Sequence, residues 1–317
     1  MTRAFVFPGQ GSQAVGMGRS AAAAYPAARA VFDEVDDALG EKLSALILEG
    51  PEDRLALTQN AQPALMATSM ALMRALEAEG VRIADHAAFV AGHSLGEYSA
   101  LCAAGSLTLA DAARLLRARG LAMQAAVPVG AGAMAALLGA DIDLARAIAA
   151  DAAEGAVCEA ANDNAPGQVV VSGDRAAVER AVALAAGRGV KRAVMLQVSA
   201  PFHCALMAPA AAAMRAELAN ARIAAPAPAL VANVRPTAVR DPETIRALLV
   251  EQVTGLVRWR ESVEWMAAQG VTELVEIGAG KVLSGLARRI ARDMGAVAVN
   301  EAADVARVAQ ALLAEQG

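Results

Sequence analysis

Aromatic residues are scarce in this 317-residue chain, with five Phe, two Tyr and two Trp. Hydrophobic residues still make up 56% of it, so the core must rest on Ala, Val, Leu, Ile and Met. That balance is globular and excludes a disordered chain. Cysteine is rare too. Cys102, Cys158 and Cys204 are odd in number and never spaced as C-x-x-C, which argues against a disulfide framework or a zinc site and for a reducing compartment. There is no basic excess. A net charge of −5 argues against nucleic acid as a partner. No stretch approaches the roughly 20 charge-free apolar residues of a membrane span, and "MTRAFVFPGQG" lacks the long apolar run of a signal peptide. The expectation is a cytoplasmic protein that does not bind membranes, with one large core or two domains of roughly 100–200 residues.

What is present is a regular succession of elements. "RAFVF" (3–7) reads as a strand stopped by Pro8, and 20–39 as helix interrupted near Pro26. A long apolar-periodic helix spans 62–80, ended by Gly80. A buried strand at 86–92 is followed by helices at 95–105 and 109–126, an order that indicates α/β. From there the pattern becomes strand (132–140), helix (141–155), strand (156–164), strand (167–174), helix (175–189), strand (191–199). That β-α-β-β-α-β order is the ferredoxin-like unit. It predicts a small domain at 128–198 inserted into a discontinuous large domain, 1–127 and 199–317. Helices at 208–220, 242–253 and 259–269, strands near 230–234 and 272–278, and a last helix at 279–290 complete the reading.

Gly92-His93-Ser94-Leu95-Gly96 sits between the strand "AAFVAG" and the helix "LGEYSALCAAG". A nucleophile elbow needs this context: small neighbours let the chain bend, and the serine hydroxyl then projects above the sheet. The helix N-terminus adds backbone N–H groups that stabilise negative charge. A structural serine on a glycine-rich turn is the plainer alternative. A nucleophilic serine needs a base, and the chain offers three histidines. His86 precedes the strand, at the wrong end, and is expected at the surface. His93 adjoins Ser94, where side chains diverge, and is expected to pack the turn. His203, in "SAPFHCALM", follows a strand, where α/β sites assemble. No acidic residue between Ser94 and His203 is an obvious third member, so a backbone carbonyl is expected to orient the imidazole. Two other glycine-rich stretches mislead. Gly9-x-Gly11-x-x-Ala14 is a weak dinucleotide fingerprint, interrupted by Pro8 and lacking an acid at the end of a second strand. "GAGKVLSG" (278–285) is neither a dinucleotide fingerprint nor a P-loop.

"FPGQGSQ", "GHSLGEYSAL", "RARGLAMQ", "PFHCALM" and "GAGKVLSGL" occur in this order. With them the chain resembles the malonyl-CoA:acyl-carrier-protein transacylases and the acyltransferase domains of polyketide synthases, from about residue 3 to 300. The resemblance implies an α/β-hydrolase-like core with a parallel sheet and a ferredoxin-like insert. It implies transfer of malonyl from malonyl-CoA to the phosphopantetheine thiol of acyl carrier protein by a ping-pong route, by a monomer without metal or redox cofactor. Ser94 would be the acylated nucleophile and His203 its base, oriented by the backbone carbonyl of Gln252. The N–H groups of Gln10 and Leu95 would form the oxyanion hole. Arg119 would grip the malonyl carboxylate, a planar group that a guanidinium matches with two parallel bonds. Arg114 and Arg117 share its helix, and the family match alone selects 119. Phe202 resembles the residue of malonyl-selective members. Ala279 departs from a frequent proline, at a turn. A serine thioesterase and a non-catalytic acyl-CoA-binding or carrier-binding module are the competing readings.

Overall fold

The computed structural model describes residues 1–315. Among them ten strands run in chain order as β1 (Arg3–Phe7), β2 (Phe89–Gly92), β3 (Gly132–Leu138), β4 (Cys158–Ala165), β5 (Gln168–Asp174), β6 (Arg192–Met195), β7 (Ala229–Val231), β8 (Ala238–Val239), β9 (Glu273–Ile277) and β10 (Gly295–Val299). They form two sheets. One has the order β10-β9-β1-β2-β7-β8 and is parallel except for the β7–β8 pair. The other, β4-β5-β3-β6, is antiparallel throughout. The protein is therefore mixed α/β with a parallel sheet.

All five side chains of β1 are buried, as a central strand covered by helices on both faces requires. The helix Thr58–Ala78 is buried through most of its length and supplies much of the large core. It starts a turn earlier than its apolar periodicity predicts and carries Pro63 inside. Proline has no N–H for the carbonyl four residues back. That carbonyl, of Gln59, instead accepts from Arg117 Nη1 at 2.6 Å. The small sheet is backed by the helices Ile142–Ala153 and Arg175–Gly187, with its own apolar cluster.

The small sheet is tied along β4 to the segment that opens the helix Trp259–Ala268. Asp163 N–H donates to the Val257 carbonyl and Val257 N–H to that of Ala161, both at 2.9 Å. Asp163, buried, accepts from Arg260 at 2.8 Å. Among the described residues, no helix is long and apolar enough to cross a membrane.

Three expectations need correction. β2 begins at Phe89, because residues 83–86 form a short helix. His86 ends that helix and is buried at 8% exposure, not on the surface. The helix Val282–Ile290 is not the last element; β10 and the helix Ala302–Ala314 follow it. The strand is built of Gly, Ala and Val, too small a set for a strong strand signal. The helical spacing of Val305, Val308, Ala309 and Leu312 is present in the sequence.

Candidate active site

The carboxyl ends of β1, β2 and β7 lie side by side in the parallel sheet, the position where open α/β sheets bind ligands. β2 runs into a turn so tight that two of its residues must be glycine. A Cβ on Gly92 would lie 1.9 Å from the carbonyl of Gly96, and one on Gly96 would lie 2.2 Å from the carbonyl oxygen of Phe7. Between them Ser94 adopts φ 52°, a left-handed conformation that costs a non-glycine residue about 1–2 kcal/mol. Asn233, just beyond β7, braces the turn. Its Oδ1 accepts from Ser94 N–H at 2.7 Å and its Nδ2 donates to the Gly92 carbonyl at 2.6 Å. The hydroxyl is thereby held above the sheet, at the start of the helix Gly96–Ala103.

Ser94 Oγ stands 2.8 Å from His203 Nε2. His203 is buried, and its Nδ1 lies 2.9 Å from the backbone oxygen of Gln252. A carbonyl oxygen only accepts, so the proton is on Nδ1 and the Nε2 lone pair faces the serine. Burial, then the nearby Arg119 cation, pulls the His203 pKa down to about 3. The imidazole is therefore neutral at pH 7 and free to accept the serine proton. The orienting group is a carbonyl rather than a carboxylate.

The three arginines of the helix Leu109–Ala126 separate cleanly. Arg114 is exposed and bonded to Asp111 and the Ala38 carbonyl. Arg117 serves the Pro63 helix, Asn60 and Glu41. Arg119 is 1% exposed and turned inward. Its Nη2 donates to Ser94 Oγ at 3.1 Å and to Gln252 Oε1 at 2.9 Å, and its Nη1 to Gln62 Oε1 at 2.7 Å. Nε is buried without a partner. Burial lowers its pKa, yet guanidinium keeps its charge.

A cavity of about 520 Å³ opens above Ser94. Gln10, Leu95, Arg119, Phe202 and His203 border it. Gln252 lies beneath, fully buried. Gln10 Oε1 accepts from the Thr58 hydroxyl at 2.9 Å, which aligns the turn after β1. His93 packs the elbow against Trp259 and also reaches Asn164 of β4 at 2.8 Å. The opposite wall comes from the small sheet and the segment after it, through Met134, Asn162, Val170, Leu196 and Val198.

The acyl transferase domain family matches residues 4–310. The chain is 49% identical to the malonyl CoA-acyl carrier protein transacylase of Escherichia coli strain K12, over 94% of this chain and 96% of that one. The chain belongs to the malonyl-CoA:acyl-carrier-protein transacylase family. It is an acyltransferase. Among solved structures it is similar to the acyl-carrier-protein-S-malonyltransferase of Bartonella henselae, with 57% identity, a TM-score of 0.96, and coverage of 98% of this chain and 99% of that one. It is also similar to a malonyl-transacylase in complex with its type II polyketide acyl-carrier protein, at 42% identity and TM-score 0.95, over 98% of this chain and 100% of that one.

Several residues of this transacylase site escape sequence reasoning. Asn233 is a lone polar residue after a short strand, and Gln62 an amide inside an apolar helix. Glu97 reads as an ordinary first-turn acid, yet it is 1% exposed and beside Gln252. Nothing local in the sequence distinguishes them, because their partners lie far along the chain.

Proposed function

We propose that this acyltransferase carries a malonyl group from malonyl-CoA to the phosphopantetheine thiol of an acyl carrier protein, through an acyl-serine intermediate. The observation that carries the reading is the setting of Ser94 Oγ, 2.8 Å from the neutral His203 Nε2 and 3.1 Å from the buried Arg119. The base takes the serine proton as Oγ attacks the thioester carbonyl. Charge collects on the carbonyl oxygen, where the N–H groups of Gln10 and Leu95 act as donors. Such a donor contributes about 10²–10³ in rate. The carbon–sulfur bond breaks, and the proton passes from His203 to the CoA sulfur. The carrier thiol then repeats the steps in reverse order: His203 takes its proton, sulfur attacks the ester, and the proton returns to Ser94 Oγ.

Arg119 is the fixed cation for the distal carboxylate, and Phe202 limits the room beside the α-carbon. Arg114 and Arg117 are engaged elsewhere, which favours Arg119 on geometry as well as on family likeness. No metal or redox cofactor has a part in these steps. Every group named belongs to one chain, which suits a monomer.

The fold is read as an α/β-hydrolase-like core, 1–127 and 199–317, with a ferredoxin-like insert at 128–198. In support, all strands of the parallel sheet fall in the first set and all strands of the antiparallel sheet in the second. Lys191 precedes β6 and Arg192 begins it, and Arg289 donates to Gln168 at the cavity edge and to the Pro166 carbonyl. These cations on both parts suit an acidic carrier, which the net negative chain must attract locally.

Intact-mass measurement tests the reading. Incubation with malonyl-CoA should add one malonyl group, and holo carrier protein should remove it. Ser94→Ala should give a folded protein with no adduct. Equal labelling of the variant would rule out Ser94 as the nucleophile.

A further inference from the structure

Glu97 has no part in the steps above, yet it lies beneath both groups that flank Ser94. Its Oε2 accepts from Gln252 Nε2 at 2.7 Å and from Asn233 N–H at 3.2 Å. Gln252 in turn uses its backbone oxygen for His203 and its Oε1 for Arg119. Asn233 holds the Ser94 turn. One carboxylate thus fixes the two residues through which base, cation and nucleophile are aligned. It stands one amide group away from the Arg119 guanidinium. Its second oxygen, Oε1, is buried and has no hydrogen-bond partner. A buried carboxylate with one oxygen unpaired is costly unless a nearby cation offsets it.

We propose that Glu97 is a positioning residue that balances Arg119 in the unacylated enzyme and takes up a proton when the malonyl carboxylate comes to lie on Arg119. This inference rests on the malonyl-transfer reading. The physical reason is charge constancy in a closed cluster. An anion brought onto the guanidinium leaves nearby Glu97 facing a like charge, and protonation removes it. The other charged or titratable groups of the cluster are Arg119 on the neighbouring helix, Tyr98 beside Glu97, His93 at the elbow and His203 opposite. Arg119 stays charged. Burial pushes Tyr98 up to about 12 and pulls both imidazoles down, His203 to about 3, so these three stay neutral. Burial raises Glu97 to about 7, against its bonds to Gln252 and Asn233 and the attraction of Arg119. It is the group of this set within reach of a neutral-pH proton exchange.

Transfer of malonyl from CoA to a serine releases a neutral thiol and consumes no proton by itself, so any uptake belongs to the protein. Purified enzyme is mixed with malonyl-CoA in weak buffer at about pH 7.5 with an indicator dye, and the adduct is counted by intact mass in the same sample. A substantial fraction of one proton should be taken up per malonyl group, and none with acetyl-CoA, which brings no charge. In Glu97→Gln, the uptake should vanish. The ratio of kcat/KM for malonyl-CoA to that for acetyl-CoA should fall about tenfold between pH 6 and 8.5 in the wild type and stay flat in Glu97→Gln. A purely structural Glu97 would lower both substrates together and leave the ratio independent of pH in both proteins. Adduct without proton uptake overturns the role of Glu97 and leaves malonyl transfer standing. Absence of adduct overturns both. The wild-type measurement decides even if the variant does not fold.

Discussion

Arg119 and His203 are neighbours in one buried cluster, and the cation acts on the imidazole's chemistry. The cation helps hold the imidazole neutral, so His203 is a competent acceptor down to acid pH. Its folded pKa lies below the unfolded value near 6.5. Between the two, the unfolded chain binds more protons than the folded one. Stability from this group is therefore complete above about pH 6.5 and is lost as pH falls towards 3. The acid limb of kcat/KM should lie well below pH 6.5 for the same reason. Arg119→Ala removes one cause of the depression, so the limb should move up. In its proposed role Arg119 is also the partner of the malonyl carboxylate, so malonyl-CoA should lose far more kcat/KM than acetyl-CoA. Profiles for both substrates from about pH 4 to 8, in wild type and variant, check both statements. Equal loss for the two substrates would mean that Arg119 does not hold the carboxylate.

At the scale of the element, the strand–turn–helix at Ser94 is the most constrained stretch. Gly92→Ala and Gly96→Ala each force a Cβ into backbone, so both should fold poorly or lose acylation outright. Gly285 is the contrast: it lies exposed in the helix Val282–Ile290, and an added Cβ meets nothing within 4 Å. Gly285→Ala should raise stability by about 0.5–1 kcal/mol in denaturant unfolding. The elbow was legible in sequence because its demands are local, small residues between an apolar strand and a helix. The helix Leu109–Ala126 was legible for the same reason, with its Thr108 cap accepting from Asp111 N–H. The strand β10 was not, since Gly and Ala dilute its pattern. Ser94 and His203 emerge from chemistry and position along the chain, and Arg119 from family likeness. Asn233, Gln62 and Glu97 stay hidden, because what distinguishes them is a bond to a residue tens to more than a hundred positions away.

Across the whole molecule, the small sheet is coupled through β4 to the segment that opens the helix Trp259–Ala268. Arg260 bonds Asp163, whose side chain is 1% exposed, and Glu264. Arg260→Ala leaves a buried carboxylate without its cation. Since Arg260 is itself 23% exposed, water relieves part of the loss, and destabilisation of about 1–3 kcal/mol is expected. Thermal unfolding checks it against Arg82→Ala, an exposed pair whose loss should leave Tm unmoved. An equal shift in both would mean the tie carries no weight. The split of the cavity wall has a consequence for descent. Ser94, Arg119, His203 and Gln252 travel on the stretches that build the parallel sheet and its helices. Met134, Val170, Leu196 and Val198 travel on one intervening segment. A single recombination event spanning that segment would replace this wall of the cavity and leave Ser94, Arg119, Phe202 and His203 untouched. One wall of the cavity can thus be inherited separately from the residues proposed to grip and transfer the acyl group.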